Sequence, residues 1–285
     1  MLMINIISVR YRPPKNEDIE KIRNFLKAVK MLGCRIITSK DDDNLFDDIA
    51  EYVTDREEYS TAELVIAFGG DGTIIKAARE FSPYNTPVLG VNTGTLGYLA
   101  ELSPDEHDVI EKVICEDFRI DERMMLDVLI HRGDSIITPD LPALNEIVLA
   151  NGPVSRLFKY DLYSDGVQVQ SARADGIIIA TPTGSTAYSL SAGGPIADPS
   201  LECIITTPIC PFTLNQRPVI YGSRTNIEIC SVSCRENNIY LTVDGADIFQ
   251  ILPDDRIQIK KSDISAKLVR LRNRSFLEIL HEKMS

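Results

Sequence analysis

The chain has 285 residues, 44% hydrophobic and 25% charged, with a formal net charge of -12. That length holds one large domain or two modest ones with real cores. The acidic balance argues against nucleic acid and anionic membranes as partners, since both attract basic surfaces. No apolar run reaches membrane-spanning length, and Met1 to Val9 leads into Arg10 and Arg12 without a signal-peptide cleavage pattern, so a cytoplasmic protein is expected. Six cysteines scattered through a chain of this size read as reduced thiols, not as a disulfide framework. Cys230 and Cys234 share one face of a regular strand, but no second pair or nearby His completes a zinc site. The three histidines, His107, His131 and His281, read as surface residues.

In chain order, Met3 to Val9 is a first strand, and Tyr11 to Lys15 is a turn. Asn16 caps a helix whose Ile19, Ile22, Leu26 and Val29 share one face, with acids at its start and lysines near its end. Gly33 ends that helix, Cys34 to Thr38 makes a second strand, and the acidic run Asp41 to Asp48 is a solvated face. Leu64 to Phe68 is an uninterrupted apolar run bounded by glycine, the pattern of a strand buried on both faces. It delivers Gly69-Gly70-Asp71-Gly72-Thr73 to a helix beginning near Ile74. Glycines there let backbone amides approach phosphate oxygens at the positive end of a helix. Three readings are open for Asp71: it takes a proton from an attacking hydroxyl, it helps hold a metal ion, or it caps the helix. The stretch has no Lys-Ser/Thr ending of a Walker A loop, and the chain has no G-x-G-x-x-G fingerprint. Thr86 to Val91 is a further strand ending in Asn92, which is either a ligand contact or a turn former in its own loop.

Ser103 caps a helix through about Asp117, and then the pattern changes. From Leu126 onward apolar residues alternate with polar ones over many short segments, the mark of antiparallel strands. Ser164-Asp165-Gly166 reads as a hairpin turn. Arg270, Arg272 and Arg274 alternate on one strand face that is read as solvated, and Ser275 to Met284 has helical spacing. The expected architecture is an α/β N-terminal domain with a mostly parallel sheet over residues 1–117 and a β-rich C-terminal domain over 118–261, with 262–285 packing back on the first. Between Arg173 and Pro195 the chain is too rich in glycine and hydroxyls for routine sheet. A buried strand, Gly176 to Ala180, leads there into a polar ligand loop and a short helix from Thr186.

Gly69 to Thr73, Asn92-Thr93-Gly94, Leu144-Asn145-Glu146 and Asp175 through Pro195 together resemble the motifs of NAD kinases, in that order and at similar spacing, over nearly the whole chain. The first motif is shared with phosphofructokinases and with diacylglycerol and sphingosine kinases; Thr181-Pro182-Thr183-Gly184-Ser185-Thr186-Ala187-Tyr188 is more specific. The resemblance implies an NAD kinase-like fold binding NAD between its domains, and transfer of a terminal phosphoryl group from ATP or polyphosphate to the adenosine ribose 2′-hydroxyl of NAD. It also implies a divalent cation such as Mg²⁺ and a homodimer or homotetramer. In that scheme Asp71 is the catalytic base, Gly70 and Gly72 lie against the donor phosphates, and Lys76 helps neutralise them. Asn145 and Glu146 hold ribose hydroxyls, and Asp175 lies near the nicotinamide end. Thr186, Ala187, Tyr188 and Ser191 form the nucleotide-contacting loop, and Arg156 and Arg173 fall where relatives often carry a charged contact. Many relatives have Gln where this chain has Ala246, so one pocket contact is missing or replaced. The weighed alternatives are a lipid or sugar kinase sharing only the first motif, and a dinucleotide sensor without activity.

Overall fold

The computed structural model describes residues 4–12, 16–39, 45–54, 56–94, 97–152, 157–213, 215–233 and 238–284. The first elements in order are β1 (Ile6–Tyr11), α1 (Asn16–Met31), β2 (Arg35–Ser39), β3 (Glu51–Val53), α2 (Arg56–Ser60), β4 (Leu64–Gly69), α3 (Asp71–Phe81), β5 (Val88–Asn92) and α4 (Ile110–Ile114). Then come β6 (Arg119–Arg132), β7 (Ser135–Ile137), β8 (Glu146–Asn151), β9 (Phe158–Ser164), β10 (Val167–Ala174), β11 (Gly176–Ala180) and the one-turn α5 (Tyr188–Ser191). The chain ends in β12 (Cys203–Ile209), β13 (Val219–Gly222), β14 (Ile227–Ser233), β15 (Ile239–Val243), β16 (Asp247–Ile251), β17 (Arg256–Arg270) and α6 (Phe276–Met284). Two compact units result: residues 1–122 with 266–285, and residues 123–265.

In the first unit β5, β4, β1, β2 and β3 lie side by side and all parallel, and Leu268 of β17 adds in parallel next to Val88. Every residue of β4 is buried, as a central parallel strand covered on both faces requires. The apolar stripe of α1, Ile22, Phe25, Leu26 and Val29, is fully buried with Ile7, Leu64, Ile66 and Phe68. Each such side chain contributes about 1.5–3 kcal/mol of transfer free energy. Gly33 (φ 91°) ends α1 in a left-handed turn, its amide bonded to the Lys30 carbonyl.

In the second unit the two sheets are built from antiparallel neighbours. One sheet orders β10, β9, β14 and the first part of β17; the other orders β13, β12, β11, β8, β15 and β16. The alternating residues of both meet in one core that includes Leu126, Leu149, Tyr160, Ile177, Ile229 and Leu241. The β9–β10 hairpin turns on Asp165 (φ 49°) and Gly166 (φ 80°), the two-residue turn whose twist matches its strands.

Several expectations need correction. The first strand runs on through Tyr11 instead of stopping at Val9, because Tyr11 still pairs with Phe68. Residues 41–44 of the acidic run, Pro13 to Lys15 of the first turn, the Asn16 side chain and Cys234 lie outside the described residues. The rest of that acidic run is not simply a solvated face, since Phe46 within it is 1% exposed in the core. Neither β3 nor α2 was foreseen, both being too short to show a period. Ser103 does not cap a helix directly: its amide and hydroxyl donate to Glu106, and a 3₁₀ turn at 107–109 precedes α4. The chain after Ala180 forms a 3₁₀ turn over Thr183–Thr186 before α5. His131 is half-buried and bonded to Gln258. Arg270 is not solvated, its side chain being 11% exposed between Glu101 and Asp121. Its face of β17 turns inward because Glu101, at 8% exposure, supplies the countercharge.

Candidate active site

At the carboxyl end of β4 the chain turns through Gly69 and Gly70 into α3, and Asp71 is the first residue of that helix. It does not cap the helix, since the capping position is Gly70 and no side chain bonds there. Its carboxylate reaches instead to the loop after β5, where Oδ2 accepts the Tyr98 amide at 2.8 Å and Oδ1 the Leu99 amide at 3.1 Å. Two bonds leave each oxygen a free lone-pair direction, so the group can still accept a proton. A Cβ at Gly97 would lie 1.9 Å from Asp71 Oδ1, which makes glycine there a condition of this geometry. Gly97→Ala is therefore expected to push the carboxylate aside and lower turnover tenfold or more, since a misplacement of about 1 Å costs on the order of 10²-fold. Steady-state kinetics on a variant that still melts cooperatively check this.

Gly69 is needed for packing, because a Cβ there would meet Thr73 Oγ1 at 2.3 Å. Gly70 and Gly72 are different: a Cβ on either meets nothing within 4 Å. Nothing in the fold demands glycine at these two positions, and their backbone lies open at a helix start whose first amides have no intrahelical acceptor. Lys76, one turn on, is exposed. The Asn92 side chain bonds to Gly94 in its own loop, accepting from the amide and donating to the carbonyl at 3.1 Å each, as a turn former does.

In the second unit Glu146 opens β8 and Asn145 immediately precedes it. Three successive amides there point at one carboxylate: Leu144 donates to Asp244 Oδ2 at 2.7 Å, and Asn145 and Glu146 to Oδ1 at 2.9 Å. Asp244 sits in the β15–β16 turn at φ 47°, a conformation that Asp tolerates better than most residues. From the other side Thr181 donates its hydroxyl to the Leu144 carbonyl at 2.6 Å and its amide to the Asn145 carbonyl at 2.9 Å. Gly184 closes on the same peptide, since a Cβ would lie 2.1 Å from Asn145 O. These contacts fix the pair before any ligand arrives.

Glu146 Oε2 is buried without a hydrogen-bond partner. Burial, and next the nearby Asp244 charge, raise its carboxyl from 4.5 to about 7, while the Tyr188 amide pulls the other way. Thus Glu146, Asn145, Tyr188 and Asp244 converge. Thr186 and Ala187 are half-buried beside them in sequence, and Tyr188 and Ser191 are exposed. Asp175, between β10 and β11, is half-buried, its amide bonded to the Ile209 carbonyl. Arg173 is exposed with its guanidinium 5.5 Å from the Phe212 ring centre. Arg156 lies outside the described residues. Ala246 donates its amide to the Val243 carbonyl in the turn that carries Asp244. Sequence reasoning missed Asp244, although an Asp-Gly turn after alternating Ile239, Leu241 and Val243 is a legible signal.

The family model of the ATP-NAD kinase N-terminal domain matches residues 16–118, and that of the ATP-NAD kinase C-terminal domain matches residues 144–271. An NAD kinase of Natranaerobius thermophilus is 43% identical over 227 residues, 79% of this chain and 78% of the relative. One of Lachnospira eligens is 36% identical over 292 aligned positions, 98% of each chain. Among solved structures, yeast NADH kinase complexed with NADH superposes with a TM-score of 0.89 at 27% identity, covering 99% of this chain and 88% of that one. An NAD kinase from Archaeoglobus fulgidus in complex with ATP gives 0.76 at 27% identity over 98% of both. With these models and relatives, an α/β unit that carries an acid at a glycine-bounded helix start belongs to a phosphotransferase. The chain belongs to the NAD kinase family.

Proposed function

We infer that the protein is an NAD kinase, forming NADP by transfer of a terminal phosphoryl group to the 2′-hydroxyl of the adenosine ribose. The observation that carries this reading is the aimed but unsaturated Asp71 carboxylate beside two glycines that the fold itself does not need. A ribose hydroxyl ionises far above neutrality, so a base must take its proton as the oxygen attacks. Asp71 accepts that proton, the new O–P bond forms, and the bond from the terminal phosphorus to the donor's bridging oxygen breaks. Gly70 and Gly72 leave their backbone open to the donor phosphates, and Lys76 supplies a cation one turn along. Asn145 donates to, and Glu146 accepts from, the vicinal ribose hydroxyls. Asp175 holds the nicotinamide end, while Thr186, Ala187, Tyr188 and Ser191 contact the nucleotide.

ATP as donor is supported by the relative solved with ATP. No group of three His, Cys, Asp or Glu able to hold a metal occurs among the described residues. A Mg²⁺ ion would be carried by the donor's phosphate oxygens together with one or two carboxylates, the way this ion is usually bound. When bound there it offsets the charge that accumulates during transfer. No helix among the described residues is long and apolar enough to cross a membrane. The resemblance to NAD kinases is what supports a homodimer or homotetramer and a cytoplasmic address. The test incubates the purified protein with NAD, Mg²⁺ and either ATP or polyphosphate and measures NADP. NADP is expected with ATP. Its absence with both donors, alongside an NAD-dependent rise in Tm, would leave a sensor and overturn the reading.

A further inference from the structure

We propose that Arg270 is a positioning residue for Asp71, acting through the backbone of Leu99, whose two flanking peptides each take one of the bonds; the proposal rests on the reading of Asp71 as the base. The Leu99 amide donates to Asp71 Oδ1, and the Leu99 carbonyl accepts from Arg270 Nη1 at 3.2 Å. The same Nη1 donates to Glu101 Oε1 at 2.8 Å, and Nε donates to Asp121 Oδ2 at 3.0 Å. Glu101 Oε2 in turn accepts the amides of Leu271 at 3.0 Å and Arg272 at 3.2 Å, while the Glu101 amide donates to the Gly90 carbonyl of β5 at 2.9 Å. One guanidinium thus ties the end of β17 to the segment whose amides aim the carboxylate.

Charge pairing alone does not call for this arrangement. The Arg270 and Glu101 side chains are 11% and 8% exposed, and a buried ion pair often stabilises a core no better than well-packed apolar residues of equal volume. An apolar pair, however, has no donor for the Leu99 carbonyl and no acceptor for the Leu271 and Arg272 amides. The planar fork of arginine holds its donors to a carbonyl and two carboxylates in one fixed geometry, which the rotating ammonium of lysine does not. What the ion pair adds is an anchor on the peptide that follows Leu99, which fixes the Leu99 backbone and with it the amide of the preceding peptide that aims Asp71.

The test is a kinetic cycle on the full chain with Arg270→Met, Asp71→Asn and the double variant, following NADP formation from NAD and ATP. Arg270→Met is expected to lower kcat about 10- to 10²-fold while the KM for NAD stays within about threefold. The double variant is expected to fall no more than about threefold below Asp71→Asn, because residues acting as one unit are non-additive. Arg270→Lys keeps the charge and gives the same pattern with a smaller loss; it carries the comparison if Arg270→Met does not melt cooperatively. Unchanged kcat in both Arg270 variants, or losses that multiply in the double variant, overturn the proposal. Full turnover by Asp71→Asn overturns the reading beneath it, whereas a crippled Asp71→Asn with multiplying losses sinks the Arg270 proposal alone.

Discussion

Asp71→Asn is expected to bind NAD with little change and to lose about 10²- to 10⁴-fold in kcat, the usual reach of a general base. The substitution preserves size and one acceptor oxygen, but it replaces the other oxygen with an NH₂ that meets a backbone amide, donor against donor. The Tyr98 and Leu99 amides both approach within hydrogen-bond distance of the carboxylate, so one of the two bonds is lost. What disappears chemically is the ability to accept a proton from the ribose hydroxyl. Initial rates of NADP formation, with NAD affinity measured separately by calorimetry, decide the point. Turnover near that of the parent chain would remove Asp71 from the chemistry.

Glu146→Gln is expected to stabilise the protein without ligand above neutral pH. The native carboxyl titrates at about 7 against an ordinary value of 4.5, because burial and Asp244 disfavour its charge. Between those values the folded chain binds a proton that the unfolded chain lacks, so stability falls as pH rises through the window and the cost is complete above it. That cost is on the order of 3 kcal/mol. Glutamine removes it, and its NH₂ takes the place of Oε2, which has no partner, near the Asp244 charge. Denaturant midpoints at pH 8 should favour the variant, and at pH 5 the two proteins should come within about 1 kcal/mol. An equal difference at both pH values would show that the charge is not the cause. The same change should raise the KM for NAD about tenfold or more, since a hydrogen bond to a charged acceptor is worth about 1.5–3 kcal/mol.

Much of the local chemistry could be read from residue order. The run Leu64 to Phe68, the glycines after it and the amphipathic stretch that follows announced β4, its turn and α3, because burial on two faces and helical period each leave a mark within ten residues. The hydroxyl-rich loop from Thr181 was also visible, though it folds as a 3₁₀ turn and one short helical turn instead of a helix from Thr186. Alternation forecast the antiparallel second unit, and Asp165-Gly166 its hairpin.

The partners of those groups were not legible. Asp71 was open to three readings because the amides of Tyr98 and Leu99 come from another loop, 27 and 28 residues away. Asp244 lies about 100 residues from the strand start that it pins. Arg270 looked solvated by alternation, yet Glu101, 169 residues earlier, draws it inward. By itself the sequence determined which elements form and which residues carry acid, hydroxyl and open backbone, since period, propensity and side-chain type act over a turn or a strand. Only the tertiary structure decided where each carboxylate points and what charge it holds, because those depend on donors, burial and countercharges brought together from distant parts of the chain.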